Sequence, residues 1–161
     1  MLTPTELINE LHVCFKAFDE ITAKHGVEKI KTVGDAYIAV ADLPVPDANH
    51  AESIINVALE VRDFMVERKK KLGDQTFNLR VGVHSGSVIS GIVGVKKFAF
   101  DIWGDAVNTA ARMEQNSEHM EINVSDSTYQ LTKDKFKFVS RGKITAKGKD
   151  EMEMYFVKGK I

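Results

Sequence analysis

Gly104 separates two runs of opposite periodicity, and that junction constrains the chain more than any other stretch. Before it, Phe98, Phe100 and Ile102 alternate with smaller or polar residues, the period-two pattern of a half-buried strand. After it, Asp105 to Glu114 contains neither Gly nor Pro and favours helix. Asp105 falls in the first helical turn, where unpaired amides and the helix dipole favour a carboxylate. Asn108 and Arg112 are spaced i,i+4 and project from one face of that helix. An amide and a guanidinium placed so form a donor-rich patch suited to an oxyanion or phosphate. The same spacing equally serves an arginine that pairs with a surface carboxylate, and spacing alone leaves both readings open.

The flanking segments supply the scaffold. Thr3-Pro4-Thr5-Glu6 is a helix start, with a hydroxyl at the cap, proline in the first turn and glutamate three residues after the threonine. Leu7, Leu11, Phe15, Phe18 and Ile21 then mark an inward helical stripe ending at Gly26, with Glu10, Lys16 and Asp19 expected outside. Val27 to Val40, interrupted by Gly34-Asp35, reads as two strands joined by a tight turn, where Asp35 by itself is ordinary turn chemistry. Pro44 and Pro46 mark a loop. Ala51, Ile54, Ile55, Ala58, Val61 and Met65 define a long amphipathic helix ending in Arg68-Lys69-Lys70-Lys71, a basic run expected to be a solvated terminus. Asn78 to Val95, studded with Gly82, Gly86, Gly91 and Gly94, predicts two strands around a turn at Ser85-Gly86-Ser87, with close backbone approaches at the glycines. Short strands follow at Ile122–Val124, Phe136–Val139, Ile144 and Met154–Val157, separated by polar turns. Arg141-Gly142-Lys143 and Lys147-Gly148-Lys149 read as edge or turn positions that serve solubility. Two long helices among hairpins indicate an α+β sandwich, with helices over one face of a largely antiparallel sheet.

Composition narrows the function classes. With 161 residues, 43% of them apolar, residues 1–161 are expected to form one domain. A net charge of -1 argues against nucleic acid as a partner. The single cysteine, Cys14, cannot form an internal disulfide, and no apolar run spans a bilayer, so a cytoplasmic location is expected. The Gly86 to Gly91 spacing fails as a phosphate loop because Ile92-Val93 stands where Lys-Ser/Thr is needed. The five histidines show no metal-ligand spacing, and neither Ser85 nor Cys14 lies in a nucleophile motif.

Four segments in order resemble the catalytic domain of class III nucleotidyl cyclases, the adenylate and guanylate cyclases: Glu28-Lys29-Ile30-Lys31-Thr32-Val33-Gly34-Asp35-Ala36-Tyr37, Arg80-Val81-Gly82-Val83-His84-Ser85-Gly86 with Gly91 and Gly94, Phe100 to Met113, and Lys147-Gly148-Lys149. The resemblance implies a ferredoxin-like fold that works as a head-to-tail homodimer, or with a second cyclase domain, and binds nucleotide between the two. It makes Asp35 one of two aspartates for two divalent ions, Mg2+ or Mn2+. Lys31 and Asp101 take the base-reading positions. Lysine can donate to the adenine ring and aspartate can accept from its exocyclic amine, which implies ATP, whereas guanylate cyclases typically carry glutamate and cysteine there. Asn108 is implied to orient the ribose, Arg112 to face the charge growing on the α-phosphate, and Lys147 to contact the β- and γ-phosphates.

The family pattern also has, ahead of the first helix, a strand of the type Phe-x-Asp-Ile-x-Gly-Phe that brings the other metal aspartate. The chain begins after it, at Met1-Leu2-Thr3-Pro4. The expectation is an N-terminally truncated adenylate cyclase domain, inactive as an isolated chain, from a parent that carries an upstream regulatory domain. A non-catalytic nucleotide-binding or dimerisation module and a guanylate cyclase are the alternatives.

Overall fold

The computed structural model describes residues 2–93, 99–145 and 151–161. Thr3 caps helix α1 (Pro4–Lys24), its hydroxyl accepting from the Glu6 amide at 3.2 Å. Strands β1 (Glu28–Val33) and β2 (Ala36–Val40) form an antiparallel hairpin around Gly34-Asp35, with Val33 opposite Ala36. Gly34 has φ +60°, which a side chain there would resist. Helix α2 (His50–Leu72) follows the proline loop and ends in a short turn at Gly73–Gln75. Then come β3 (Val81–Val83), β4 (Ile89–Val93), β5 (Ala99–Trp103), helix α3 (Asp105–Gln115), β6 (Ile122–Ser125), helix α4 (Asp126–Thr132), β7 (Phe136–Thr145) and β8 (Glu151–Lys160). None of the described helices is long and apolar enough to cross a membrane.

The α+β class, with helices packed on mostly antiparallel strands, is as expected, but the strands fall into three sheets instead of one. The first hairpin and the β4–β5 ribbon are two-stranded, and the third sheet has the order β3-β6-β8-β7. Among the described pairs only β3 and β6 run parallel. Among the described residues β2 and β3 each pair on one side only, and no ladder joins the first hairpin to the four-stranded sheet.

Helix α2 joins them instead. Ile55, Ala58 and Leu59 pack with Val83, Ile122 and Val157 over the four-stranded sheet. Val57, Val61 and Met65 pack with Cys14, Phe18 and Val27, under α1 and the hairpin. Each large side chain so buried contributes about 1.5–3 kcal/mol, against about 0–1 for a surface ion pair, so the apolar rows decide the joint.

Helix α1 corrects two expectations. Its buried stripe is Glu10, Cys14, Phe18 and Thr22, while Leu7 and Ile8 are exposed. Glu10 was expected outside, yet it is 7% exposed because Arg68 reaches it from α2. Arg68 Nε and Nη2 each donate to a Glu10 oxygen at 2.6 Å, and the Thr76 hydroxyl donates to the same carboxylate. The basic run is therefore not wholly solvated, since its first member turns inward. Burial, reinforced by the Glu10 charge, pushes the Cys14 thiol up to about 12. Helix α4 was expected as a polar turn; Ser125 stands at its N-cap position and Asp126 in its first turn.

The Arg68 hydrogen bonds, opposed by desolvation, hold the Glu10 carboxyl below the usual glutamate range. Stability from this pair is present at neutral pH and lost as pH falls through the depressed value. Arg68→Met should destabilise the chain by about 3 kcal/mol, because a buried carboxylate loses its cation. Burial would then act on Glu10 against only the Thr76 and Cys14 hydrogen bonds, so the variant should lose less stability than the parent as pH falls from about 7 to about 4. Urea unfolding across that range measures both.

Candidate functional site

Lys31 on β1 and Asp101 on β5 meet across two sheets. Lys31 Nζ donates to Asp101 Oδ2 at 2.8 Å, and the Asp101 side chain is 14% exposed against 45% for Lys31. Asp101 Oδ1 accepts from the backbone amide of Ile102 at 2.8 Å. The Lys31 hydrogen bond, then that amide, keep the Asp101 carboxyl below its ordinary value. A cation and an anion thus stand side by side, each with capacity left for one more hydrogen bond.

Three residues beyond Asp101 the chain turns at Gly104, whose φ of +124° makes it a poor place for a side chain. Helix α3 starts at once, with the Val107 and Asn108 amides donating to the Gly104 carbonyl. Ala106 and Met113 face inward, leaving Asn108 exposed and Arg112 half-buried on the outer side. No carboxylate among the described residues pairs with the Arg112 guanidinium, which disfavours the surface ion-pair reading and leaves its donors available.

The axial position of α3 is set by β3. A Cβ at Gly82 would lie 2.0 Å from the Glu114 amide nitrogen and 2.6 Å from the Ala110 carbonyl oxygen, so the helix backbone rests directly on this strand. Three residues past the strand, a Cβ on Gly86 would meet His84 Nε2 at 3.1 Å and the Ala106 methyl at 3.3 Å. His84, which the sequence reading left unassigned, holds this region from below. Its Nδ1 lies 2.7 Å from Ser125 Oγ, tying the β3–β4 connection to the end of β6. Burial lowers its pKa and favours the neutral ring. A histidine next to serine and glycine carries no spacing signal, which is why it was passed over.

The structure brings Lys31 to Asp101, and places Asn108 and Arg112 one turn apart on α3. It does not bring Asp35 to them by any hydrogen bond or ion pair among the described residues. Asp35 is exposed at the hairpin tip. No three His, Cys, Asp or Glu side chains gather as a metal-binding group among the described residues. Asp35 alone does not fit two divalent ions. Lys147 and Gly94 lie outside the described residues.

The β4–β5 ribbon beside this region is apolar and exposed. Ile89 pairs with Trp103 across it and is 67% exposed, and Ile92 is 71% exposed. Such a two-stranded ribbon buries little by itself.

The family model described as the adenylate and guanylate cyclase catalytic domain matches residues 1–159. An adenylate cyclase of Mycobacterium tuberculosis is 38% identical over 157 residues, which are 98% of this chain and 35% of that protein. The human guanylate cyclase soluble subunit beta-2 is also 38% identical, over 155 residues, 96% of this chain and 25% of that one. The chain therefore spans about a third or less of these curated relatives. Among solved structures, the guanylate cyclase domain of RhGC from Catenaria anguillulae in complex with GTP superposes with a TM-score of 0.87 at 31% identity, covering 99% of this chain and 87% of that one.

Gly82→Ala should cost about 1–3 kcal/mol or more, because the obstructing atoms are helix backbone and have no rotamer to change. Gly159→Ala, where a Cβ meets nothing within 4 Å, should leave the urea midpoint unchanged. Equal midpoints for the two variants would contradict the close approach.

Proposed function

Since the chain belongs to the adenylate and guanylate cyclase catalytic domain family, we propose that its protein makes cyclic AMP from ATP. The observation that carries the base choice is the Lys31–Asp101 contact at 2.8 Å. Adenine presents an exocyclic amine that donates and a ring nitrogen that accepts, which complements an aspartate beside a lysine. Guanine presents a carbonyl and a ring N–H at the corresponding edge, the reverse pattern, and would set its carbonyl against the carboxylate.

In the reaction the ribose 3'-oxygen gives up its proton and bonds to the α-phosphorus, while the bond from that phosphorus to the bridging oxygen breaks and pyrophosphate leaves. Asn108 is assigned to hold the ribose and Arg112 to meet the negative charge that grows on the α-phosphate oxygens. The guanidinium, with no carboxylate partner among the described residues, supports that role. Lys147 is assigned to the outer phosphates by resemblance alone. Magnesium or manganese would activate the hydroxyl and neutralise the triphosphate. Asp35 is its one assigned ligand among the described residues.

The family resemblance supports a site shared by two chains, and the exposed Ile89, Ile92 and Trp103 offer apolar surface for the association. The lone Asp35 also favours a second reading, a regulatory module that binds nucleotide without turning it over. Product analysis separates the two, because only the cyclase yields cyclic AMP.

Replacing Lys31 with glutamate and Asp101 with cysteine together should move the ATP over GTP preference by at least about tenfold towards GTP. An unchanged ratio of kcat/KM values would refute the base assignment.

Asp35→Ala and Arg112→Ala proteins should each be inactive. Mixed in equal amounts, they should recover roughly a quarter of wild-type turnover, since half of the dimers are mixed and each keeps one of two composite sites. Failure of demonstrated mixed dimers to recover would mean that each chain builds its own site.

A further inference from the structure

Strand β7 carries an extra residue where it passes α3. Ser140 pairs with Tyr155 and Lys143 with Glu153, so Arg141 and Gly142 together oppose Met154 alone. This is a β-bulge, and Gly142 takes φ +70°, a conformation that glycine adopts without strain. Bulges re-aim side chains, and this one leaves Arg141 half-buried instead of solvated as its sequence context suggested.

The Arg141 guanidinium lies 4.1 Å from the Phe156 ring centroid. Its Nη1 donates to the Asn116 carbonyl at 2.7 Å and to Asn123 Oδ1 at 3.0 Å. Both acceptors lead to the last turn of α3. Asn116 Nδ2 donates to the Arg112 carbonyl at 2.9 Å, beside the Asn116 amide at 3.0 Å. Asn123, fully buried on β6, donates through Nδ2 to the Met113 carbonyl at 2.9 Å. The final carbonyls of a helix lack intrahelical partners and carry the negative end of its dipole, so a cation with two directed hydrogens suits them. Lys158 offers the contrast. It approaches the same Phe156 ring at 5.2 Å but spends its ammonium on Glu121.

Resting on the cyclase reading of α3, we propose that Arg141 is a positioning residue for Arg112: the bulge aims its guanidinium at the end of α3, and two hydrogen-bond relays, through Asn116 and Asn123, fix where the helix ends on the sheet. The Arg112 side chain then stands at a set distance from the phosphate it serves, without Arg141 touching substrate. Small displacements of a group that acts on a transition state cost rate far more than they cost ground-state binding.

Arg141→Met keeps the stem over Phe156 and removes the donors. In the homodimeric protein it should lower kcat by about tenfold to a hundredfold while KM for ATP changes less than about threefold. Amide exchange at residues 112–116 should quicken by about tenfold or more, as expected for a loosened helix end. Lys158→Met, which also strips a cation from Phe156, should leave kcat and that exchange unchanged. Unaltered exchange in Arg141→Met would overturn the relay, and quickened exchange with unchanged kcat would overturn the positioning role. Absence of cyclic AMP from the unsubstituted protein would instead fail the cyclase reading, and the exchange comparison still decides whether Arg141 holds α3.

Discussion

Helix α2 is buried on two flanks at once, and the molecule depends on that. Among the described residues the first hairpin and the four-stranded sheet share no backbone ladder, so their relative placement rests largely on side chains of one helix. Ile55, Ala58 and Leu59 commit it to one core, and Val57, Val61 and Met65 to the other. A helix of 23 residues presents enough turns to do both. Glu10 and Arg68 add a directed bond to this packing. They fix how far α1 slides along α2, a coordinate on which apolar contact is permissive.

The proposed functional face is assembled from elements whose positions follow from that joint. β1 brings Lys31, β5 brings Asp101, and α3 brings Asn108 and Arg112, yet α3 takes its height from a glycine on β3 and its end from residues on β6 and β7. At Gly82 a strand gives up a side chain so that helix backbone can rest on it, and at the bulge it gives up its register so that Arg141 is re-aimed. Glycines at positive φ stand where the backbone turns: Gly34 at the hairpin tip, Gly104 at the start of α3 and Gly142 in the bulge.

What the sequence displayed was what local chemistry writes. The hairpin at Gly34-Asp35, the capped α1, the Gly104 junction and the face shared by Asn108 and Arg112 all depend on residues within a few positions of one another. Glu10 was misplaced because its partner is 58 residues away, and periodicity ranks a carboxylate outside whatever distant cation awaits it. Arg141 was misplaced for a related reason, since a basic residue beside glycine reads as a solvated edge until the strand opposite is known. Helix α4 was missed because seven residues give too few turns for a helical period to show. The division into three sheets was illegible too, because strand partners are chosen by the whole chain and not by the strand.

Under the cyclase reading, the Lys31–Asp101 contact gives the base choice a directional form. Lys31 Nζ has hydrogens beyond the one aimed at Asp101 Oδ2, and the Asp101 carboxylate has lone pairs beyond those facing Lys31 and the Ile102 amide. A base therefore adds to the pair and need not break it. It has to offer a donor to the carboxylate and an acceptor to the ammonium at once, since meeting one alone leaves the other unmatched. Selection then reads the order of two groups along one edge of the base, a property that neither side chain could test by itself.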